Sequence, residues 1–589
     1  MINEFEQIST PDNSCSPIAE AGLSDEEVGF FREAATGDSC RGAVAMSRLI
    51  ADHYPELGTC ELHTSTILAR EMGKTLGGDA VRILLFDKAT DERKWVSWEE
   101  FAQARKSLGE ENIETHGVFG VMEGDDPQGE IIYIRGDMDA LPTEDGKAKH
   151  MCGHNVHTSW LKMNCEILHA YKKRFGVLPF RRVVFIGEVN EEGMASPVFG
   201  PIEMAKAGLF EIAGKPDIVI GSHLAACQPE GTVSIEKDAA LAAEGRINIK
   251  LIPDKAYHGP DLEIVKNEIE YQIANDMKSE EAKTSFGSLH LVEDIAKELP
   301  KILVRVVDSK SKSQESGLRT SMLKGEYSCS VIIDGDLEIR ETPGGEKRED
   351  ELVIERAVDQ IKSDWAKLGI AVECDVKVSP NNQLEFIIIT RPGHVAFGGP
   401  NVEYFGSAVI HALYERYGDR VKSQSPLEAK EIAGSIRIKA ADWKNQDTAG
   451  KEKIKRIIDE TLSSMGAEGV ESELSWLIDT PPVINDEALR STALDAAQKA
   501  GIEITTIGLP HLAAESFSYW LELSGAKGLY LAIGGAERES FANVFESKSP
   551  IPESMMHHNP NFAYQEGAIA YGAIIGALAI TFGKASKRA

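Results

Sequence analysis

Positive charge is what this chain has too little of. Against 94 Asp and Glu it carries 63 Lys and Arg, a formal net charge of -31. Phosphate is held by a basic surface, so this balance argues against a nucleic-acid partner and for a solvated acidic exterior. A secretory start is also lacking: Met1-Ile2-Asn3-Glu4-Phe5-Glu6-Gln7 has neither a basic region nor an apolar core. Long hydrophobic runs are scarce. The membrane-like stretch Gly567 to Phe582 is short for a span and rich in Ala, Ile and Gly, which suits a helix packed inside a protein. The eight cysteines follow no framework spacing, so reduced thiols in a cytoplasmic protein with no membrane partner are expected.

What is present is ordinary globular composition, 42% hydrophobic and 27% charged, in 589 residues. That length exceeds one core, so about two to four domains are expected. The chemistry concentrates in Arg135-Gly136-Asp137-Met138-Asp139-Ala140-Leu141-Pro142 and His150-Met151-Cys152-Gly153-His154-Asn155-Val156-His157-Thr158. Thiolate, imidazole and carboxylate together are the ligand types of a zinc-like or mixed transition-metal site. The stretch follows the apolar run Ile131-Ile132-Tyr133-Ile134, which reads as a buried strand.

Further donors lie downstream at the ends of other predicted strands. Val183-Val184-Phe185-Ile186 leads to Glu191-Glu192, and Asp217 to Ser222 leads to His223. Strands alternating with helices, with polar residues at strand ends, describe an α/β domain with a site along one sheet edge. From about Gly245 the pattern changes to β-α-β-β-α-β, the split ferredoxin-like order, and it reads as two successive copies. After Pro481 α/β character returns. The expected organisation is a catalytic α/β/α domain over 1–243 and 479–589. Two inserted α+β lid modules in tandem, 244–380 and 381–478, interrupt it.

The candidate ligands are Cys152, His154, Glu192, His223 and His558. Five such donors exceed one closed tetrahedral site and fit an open catalytic centre or two ions sharing ligands. A bound ion lowers the pKa of water from about 15.7 to about 7. Glu191, beside Glu192, is placed to take the proton.

Arg135 to Pro142, Cys152 to His157, Glu191-Glu192-Gly193, Gly221-Ser222-His223 and His558-Asn559-Pro560 resemble the M20 metallopeptidase family. The likeness is greatest to its amidohydrolase branch of aminoacylases, hippurate hydrolases and auxin-conjugate hydrolases. It extends to His53-Tyr54-Pro55-Glu56-Leu57-Gly58 and Ala514 to Tyr519, covering about Ser47 to Leu578. The resemblance implies a zinc-exopeptidase-like catalytic domain and two divalent ions, zinc or manganese before cobalt or nickel, with Cys152 bridging. It further implies Glu191 as general base, a small amide or peptide substrate, and a dimer formed through the lid. A lid histidine at Pro392-Gly393-His394 matches the family position that reaches the reacting carbonyl. Asp137, Asp139, Asn155, His157 and Glu515 are expected to support the ligands or the substrate.

Departures from the pattern bear on the substrate. Asn155 and Ser516 stand where aspartates are usual, the Leu141–His150 loop is short, and Gln424-Ser425-Pro426 replaces an asparagine-containing motif. The expected activity is hydrolysis of an N-acyl amino acid amide. Alternatives are a dipeptide-cleaving exopeptidase, or an inactive protein whose enlarged lid binds a partner.

Overall fold

The computed structural model describes residues 22–586, except 277–301, 308–321 and shorter stretches at 59–60, 144–145, 194–197, 324–325, 334–338, 343–344, 367–371, 379–382, 391–392, 395–401, 424–426, 506–512 and 548–551. Its largest sheet is built from β1 (Val81–Asp87), β2 (Glu92–Ser97), β3 (Ile113–Glu123), β4 (Ile131–Asp137), β5 (Arg182–Glu188), β6 (Ile218–Pro229) and β7 (Thr232–Ser234). Glu503–Ile504 and Lys527–Ala536 join it from beyond a long insertion. The order across the sheet is β2-β1-β3-β5-β4-β6, then Lys527–Ala536, β7 and Glu503–Ile504. Strands β5, β4, β6 and Lys527–Ala536 run parallel, so their C-terminal ends share one edge.

Every residue of β4 is buried, as in a parallel strand covered on both faces. Alternation sorts its side chains. Ile132 and Ile134 join Val183 and Phe185 in one core, while Ile131 and Tyr133 join Val184 and Ile186 in the other. The first core is closed by helices α1 (Asp38–His53), α2 (Leu62–Leu76) and α3 (His154–Phe175), together with the C-terminal helix. That last helix belongs to an 18-residue window, Ala568–Ala585, long and apolar enough to cross a membrane, yet 78% of it is buried inside the chain. It is a core helix of this layer.

Helix α3 carries Lys172, Lys173 and Arg174 in its last turn, where cations favour the helix dipole, and ends on Gly176 at φ 80. It lies so close to β4 that a Cβ on Gly136 would sit 2.7 Å from the His157 carbonyl oxygen. Glycine is what permits the approach.

The insertion comprises β8 (Ala243–Pro253), α4 (Leu262–Asp276), β9 (Ile302–Val307), β10 (Glu326–Ile333), α5 (Glu349–Ala366), β11 (Val372–Val378), β12 (Gln383–Thr390), α6 (Val402–Tyr417), β13 (Val421–Ser423), β14 (Lys430–Ile438), α7 (Trp443–Ser464) and β15 (Val470–Thr480). Its two four-stranded sheets have the orders β9-β14-β8-β15 and β11-β12-β10-β13. Every pairing within them is antiparallel.

This corrects the tandem arrangement with its division at 380. Strand β8 pairs with β14 and β15, and β10 with β12 and β13, so strands assigned to different copies share a sheet. The modules are nested. The outer one is β8-α4-β9 completed by β14-α7-β15, and the inner one, β10 to β13, enters between β9 and β14. Both have the split ferredoxin-like strand order. The reason is geometric: Val307 at the end of β9 pairs with Ala433 near the start of β14, so an insertion leaves and returns at neighbouring points. Helix α6 of the inner module docks on α4 of the outer one. There His411 Nδ1 lies 2.8 Å from Glu268 Oε2, and its ring stacks on Tyr271 at 3.9 Å. One apolar core, including Ile249, Val265, Val331, Val409 and Leu413, spans both modules.

Candidate metal centre

The parallel strands deliver their polar ends to one edge of the large sheet. Asp137 closes β4, Glu188 closes β5 shortly before Glu191 and Glu192, and His223 lies within β6. Cys152 and His154 stand at the start of α3, and the C-terminal part returns His557 and His558 across 406 positions to Cys152. Cys152 Sγ lies 3.4 Å from His223 Nε2, 3.3 Å from His558 Nε2 and 3.7 Å from His557 Nδ1. Glu192 Oε1 lies 3.0 Å from His558 Nε2 and 3.8 Å from His154 Nε2. All are buried. The structure thus brings Cys152, His154, Glu192, His223 and His558 together.

Hydrogen bonds decide which nitrogens face the cluster. His223 Nδ1 donates to the Leu224 carbonyl at 2.7 Å, so its Nε2 presents a lone pair. His154 Nδ1 pairs with Asp139 Oδ1 at 2.9 Å, leaving a buried Nε2 with no hydrogen-bond partner. Such a carboxylate-oriented imidazole is the usual second partner arrangement of a metal-ligating histidine. His157 is different. Its Nδ1 faces Asp137 Oδ1 at 2.5 Å and its Nε2 accepts the Leu224 N–H at 2.8 Å, so both nitrogens are used and it braces Asp137. His557 Nε2 accepts the Ala226 N–H at 3.1 Å, which puts its proton on Nδ1, facing the Cys152 sulfur.

The charge is lopsided. Asp137, Asp139, Glu188, Glu191, Glu192 and Glu515 are all buried here, and three of them, Asp137, Glu188 and Glu515, gather around Arg135. Its guanidinium donates to Glu188 Oε2 at 2.7 Å, Glu515 Oε1 at 2.7 Å, Ser516 Oγ at 3.0 Å and Asp137 Oδ2. Burial, then Glu192 and Glu191, push the Cys152 thiol well above its ordinary value, so a thiolate there calls for an adjacent cation. Burial, with His157, lowers His223 to about 3, keeping it neutral and able to donate its lone pair. Against the burial that would lower it, Asp137 and Asp139 raise His154 to about 10, so without an ion it is protonated at neutral pH and a divalent ion would displace the proton on Nε2. An orphaned imidazole nitrogen, sulfur and carboxylate donors, and excess buried negative charge fit divalent ions. The donor atoms of Cys152, His154 and Glu192 lie within 4.8 Å of one another.

Glu191 Oε1 accepts the Ser516 backbone N–H at 3.0 Å, while the Ser516 hydroxyl donates to Glu188. Ser516 therefore works as a donor where an aspartate would add one more carboxylate. Glu515 is held by Arg135 and by the Tyr530 hydroxyl at 2.8 Å.

Asn155 follows His154 directly, and its side-chain amide is engaged with α1 and the C-terminal segment. Its Nδ2 donates to Ser47 Oγ at 2.9 Å, to the Ser47 carbonyl at 3.3 Å and to the Tyr564 hydroxyl at 2.8 Å. It fastens α3 to α1 and the C-terminal segment. His394 lies on a two-residue strand paired with Met322–Leu323. Its side chain, like Gln424-Ser425-Pro426, lies outside the described residues.

Sequence reasoning missed Arg135 as the shared cation, Glu188 as its partner, and His557. The repeated histidine beside His558 was the available signal for His557.

The parallel strands of the α/β layer end in a buried set of sulfur, nitrogen and oxygen donors that could hold a metal ion, and an inserted lid interrupts the layer. The profile of peptidase family M20/M25/M40 matches residues 133–546, and the chain belongs to that family. It is 32% identical over 161 residues to the putative amidohydrolase YhaA of Bacillus subtilis, covering 25% of this chain and 37% of that protein. It is 30% identical over 141 residues to an N-acyl-L-amino acid amidohydrolase of Geobacillus stearothermophilus, covering 22% and 35%. With thermostable carboxypeptidase 1 of Saccharolobus solfataricus it shares 29% identity over 190 residues, covering 30% and 46%. The matched segments thus span less than half of each relative. Among solved structures, the YXEP protein of Bacillus subtilis, described as a dinuclear metal binding peptidase from the M20 family, aligns with a TM-score of 0.49. The two are 15% identical, over 92% of this chain and 98% of that one.

Proposed function

We propose that the chain is a metal-dependent hydrolase cleaving the amide C–N bond of an N-acyl amino acid or similar small conjugate. One observation carries this reading: a buried donor set with a carboxylate, Glu191, held beside it by the Ser516 N–H at 3.0 Å. Cys152, His154, Glu192, His223 and His558 would hold two divalent ions, zinc or manganese before cobalt or nickel, with Cys152 shared. Bound there, such ions supply hydroxide at neutral pH and polarise a carbonyl.

The remaining work belongs to the chain. Asp139 and the Leu224 carbonyl fix the tautomers of His154 and His223. The Glu191 carboxylate takes a proton from the attacking water and returns it to the departing nitrogen. His394, from the lid, is the proposed donor to the carbonyl oxygen as charge develops there. A cytoplasmic homodimer is the proposed setting. The choice of N-acyl amino acids follows the amidohydrolase names among the relatives, and the carboxypeptidase relative favours a second reading, an exopeptidase on small peptides.

Incubating metal-loaded protein with a mixed pool of N-acyl amino acids and dipeptides, followed by mass spectrometry, separates the two. Glu191→Gln is expected to keep its metal and to lose on the order of 10²–10⁴ in kcat. Undiminished turnover in that variant would remove Glu191 from its role.

A further inference from the structure

Glu61 lies outside the donor set, immediately before α2, and is fully buried. Its Oε1 accepts the Asn190 backbone N–H at 2.8 Å, and its Oε2 has no hydrogen-bond partner. Asn190 sits at φ 53, in the left-handed region that asparagine enters more readily than other residues with a Cβ but still less readily than glycine. Its surroundings hold it there from several sides. Gly58 is pressed against it, since a Cβ at that position would lie 2.3 Å from Asn190 Oδ1 and 2.9 Å from its Cα. Asn190 Nδ2 donates to the Val198 carbonyl at 2.9 Å. Directly after it come Glu191, tied to Ser516, and Glu192, whose N–H donates to Asp139 Oδ2 at 3.0 Å.

We propose that Glu61 is a positioning residue: by accepting the Asn190 N–H it fixes the left-handed turn that aims Glu191 and Glu192 into the centre. What Glu191 does there rests on the hydrolase reading; the turn itself rests on geometry alone. Glu61 is outside the candidate ligand set, and its proposed function needs only an acceptor oxygen at that distance. Glutamine supplies one. Leucine of similar volume does not, and aspartate, one methylene shorter, cannot reach.

Three readouts test this in the full-length protein: hydrogen exchange of the segment 189–193, cobalt affinity of the metal-stripped chain, and the split between kcat and KM. Glu61→Gln is expected to exchange like wild type and to bind cobalt within about threefold of it. Glu61→Leu and Glu61→Asp are expected to exchange faster in that segment and to lose about 10- to 100-fold in cobalt affinity. Their kcat should fall on the order of tenfold or more with KM little changed, the mark of a misplaced base. Adding Asn190→Gly to Glu61→Leu should recover part of the loss, since glycine enters the left-handed region without strain.

Wild-type exchange and cobalt affinity in Glu61→Asp would overturn the proposal, and so would a Glu61→Gln as impaired as Glu61→Leu. Because Glu61→Asp keeps the carboxylate, it carries the test even where leucine prevents folding. If wild type binds cobalt and the exchange pattern holds while no amide is cleaved, the hydrolase reading falls and the role of Glu61 stands.

Discussion

Replacing Arg135 by methionine keeps an unbranched apolar stem in a buried position and removes the charge that three carboxylates share. Arg135 is 2% exposed as a residue, and its guanidinium donates to Glu188, Glu515, Ser516 and Asp137. Removing one partner of a buried ion pair costs ~3–5 kcal/mol. Here one cation serves several anions, so a loss near the upper end, about 5 kcal/mol, is expected. Against a typical domain stability of ~5–15 kcal/mol this leaves a marginal fold.

The pH dependence checks the mechanism. Burial raises the pKa of Asp137 and Glu515, and Arg135 reverses this, holding Asp137 well below and Glu515 below the ordinary carboxylate range. Lowered folded-state values contribute stability above the unfolded pKa, and that contribution is lost as pH falls through the folded value. Without Arg135 the largest opposition to burial is lost and the folded values rise, although His154 and His157 still act on Asp137 and His223 on Glu515. The penalty is then full at neutral pH and shrinks on acidification. Urea unfolding of metal-stripped wild type and Arg135→Met, at about pH 7.5 and about pH 5.5, should show the gap narrowing at the lower pH. A loss under about 1 kcal/mol, the size of an exposed pair, or a gap that widens with acid would refute the reasoning.

Two further changes probe other parts. Asn155→Asp replaces an amide donor by a carboxylate facing the Ser47 carbonyl, and is expected to cost ~1–3 kcal/mol. Its metal affinity should stay near wild type, and an unchanged melting temperature with altered metal affinity would count against the placement of Asn155. His411→Ala removes the contact to Glu268 and the stack on Tyr271, so limited proteolysis should release inner-module fragments sooner while the large sheet survives.

The donor set was readable because its members sit at the ends of strands and helices whose apolar patterns are themselves readable: Ile131–Ile134 before Asp137, Val183–Ile186 before Glu191-Glu192. Arg135 was visible as a residue but not as the hub, because its partner Glu515 is 380 positions away and no local pattern encodes that meeting. Glu61 was hidden for the same reason, 129 positions from Asn190. The nested lid shows the limit most plainly. Most strands and helices of the βαββαβ order were legible, although β9 and β13 were not, and chain order does not say that β8 pairs with β14 rather than with β10. Asn155 read as a lost charge beside the ligands until its amide was seen donating to Ser47 and Tyr564, partners that the spacing on α3 alone could not name.

Cobalt titration of the metal-stripped chain tests the central claim most directly. The account predicts about two ions per chain, a thiolate-to-cobalt charge-transfer band that vanishes in Cys152→Ser, and amide cleavage that appears as the ions bind. Failure to bind cobalt, or a Cys152→Ser variant with the same stoichiometry and spectrum, would contradict it.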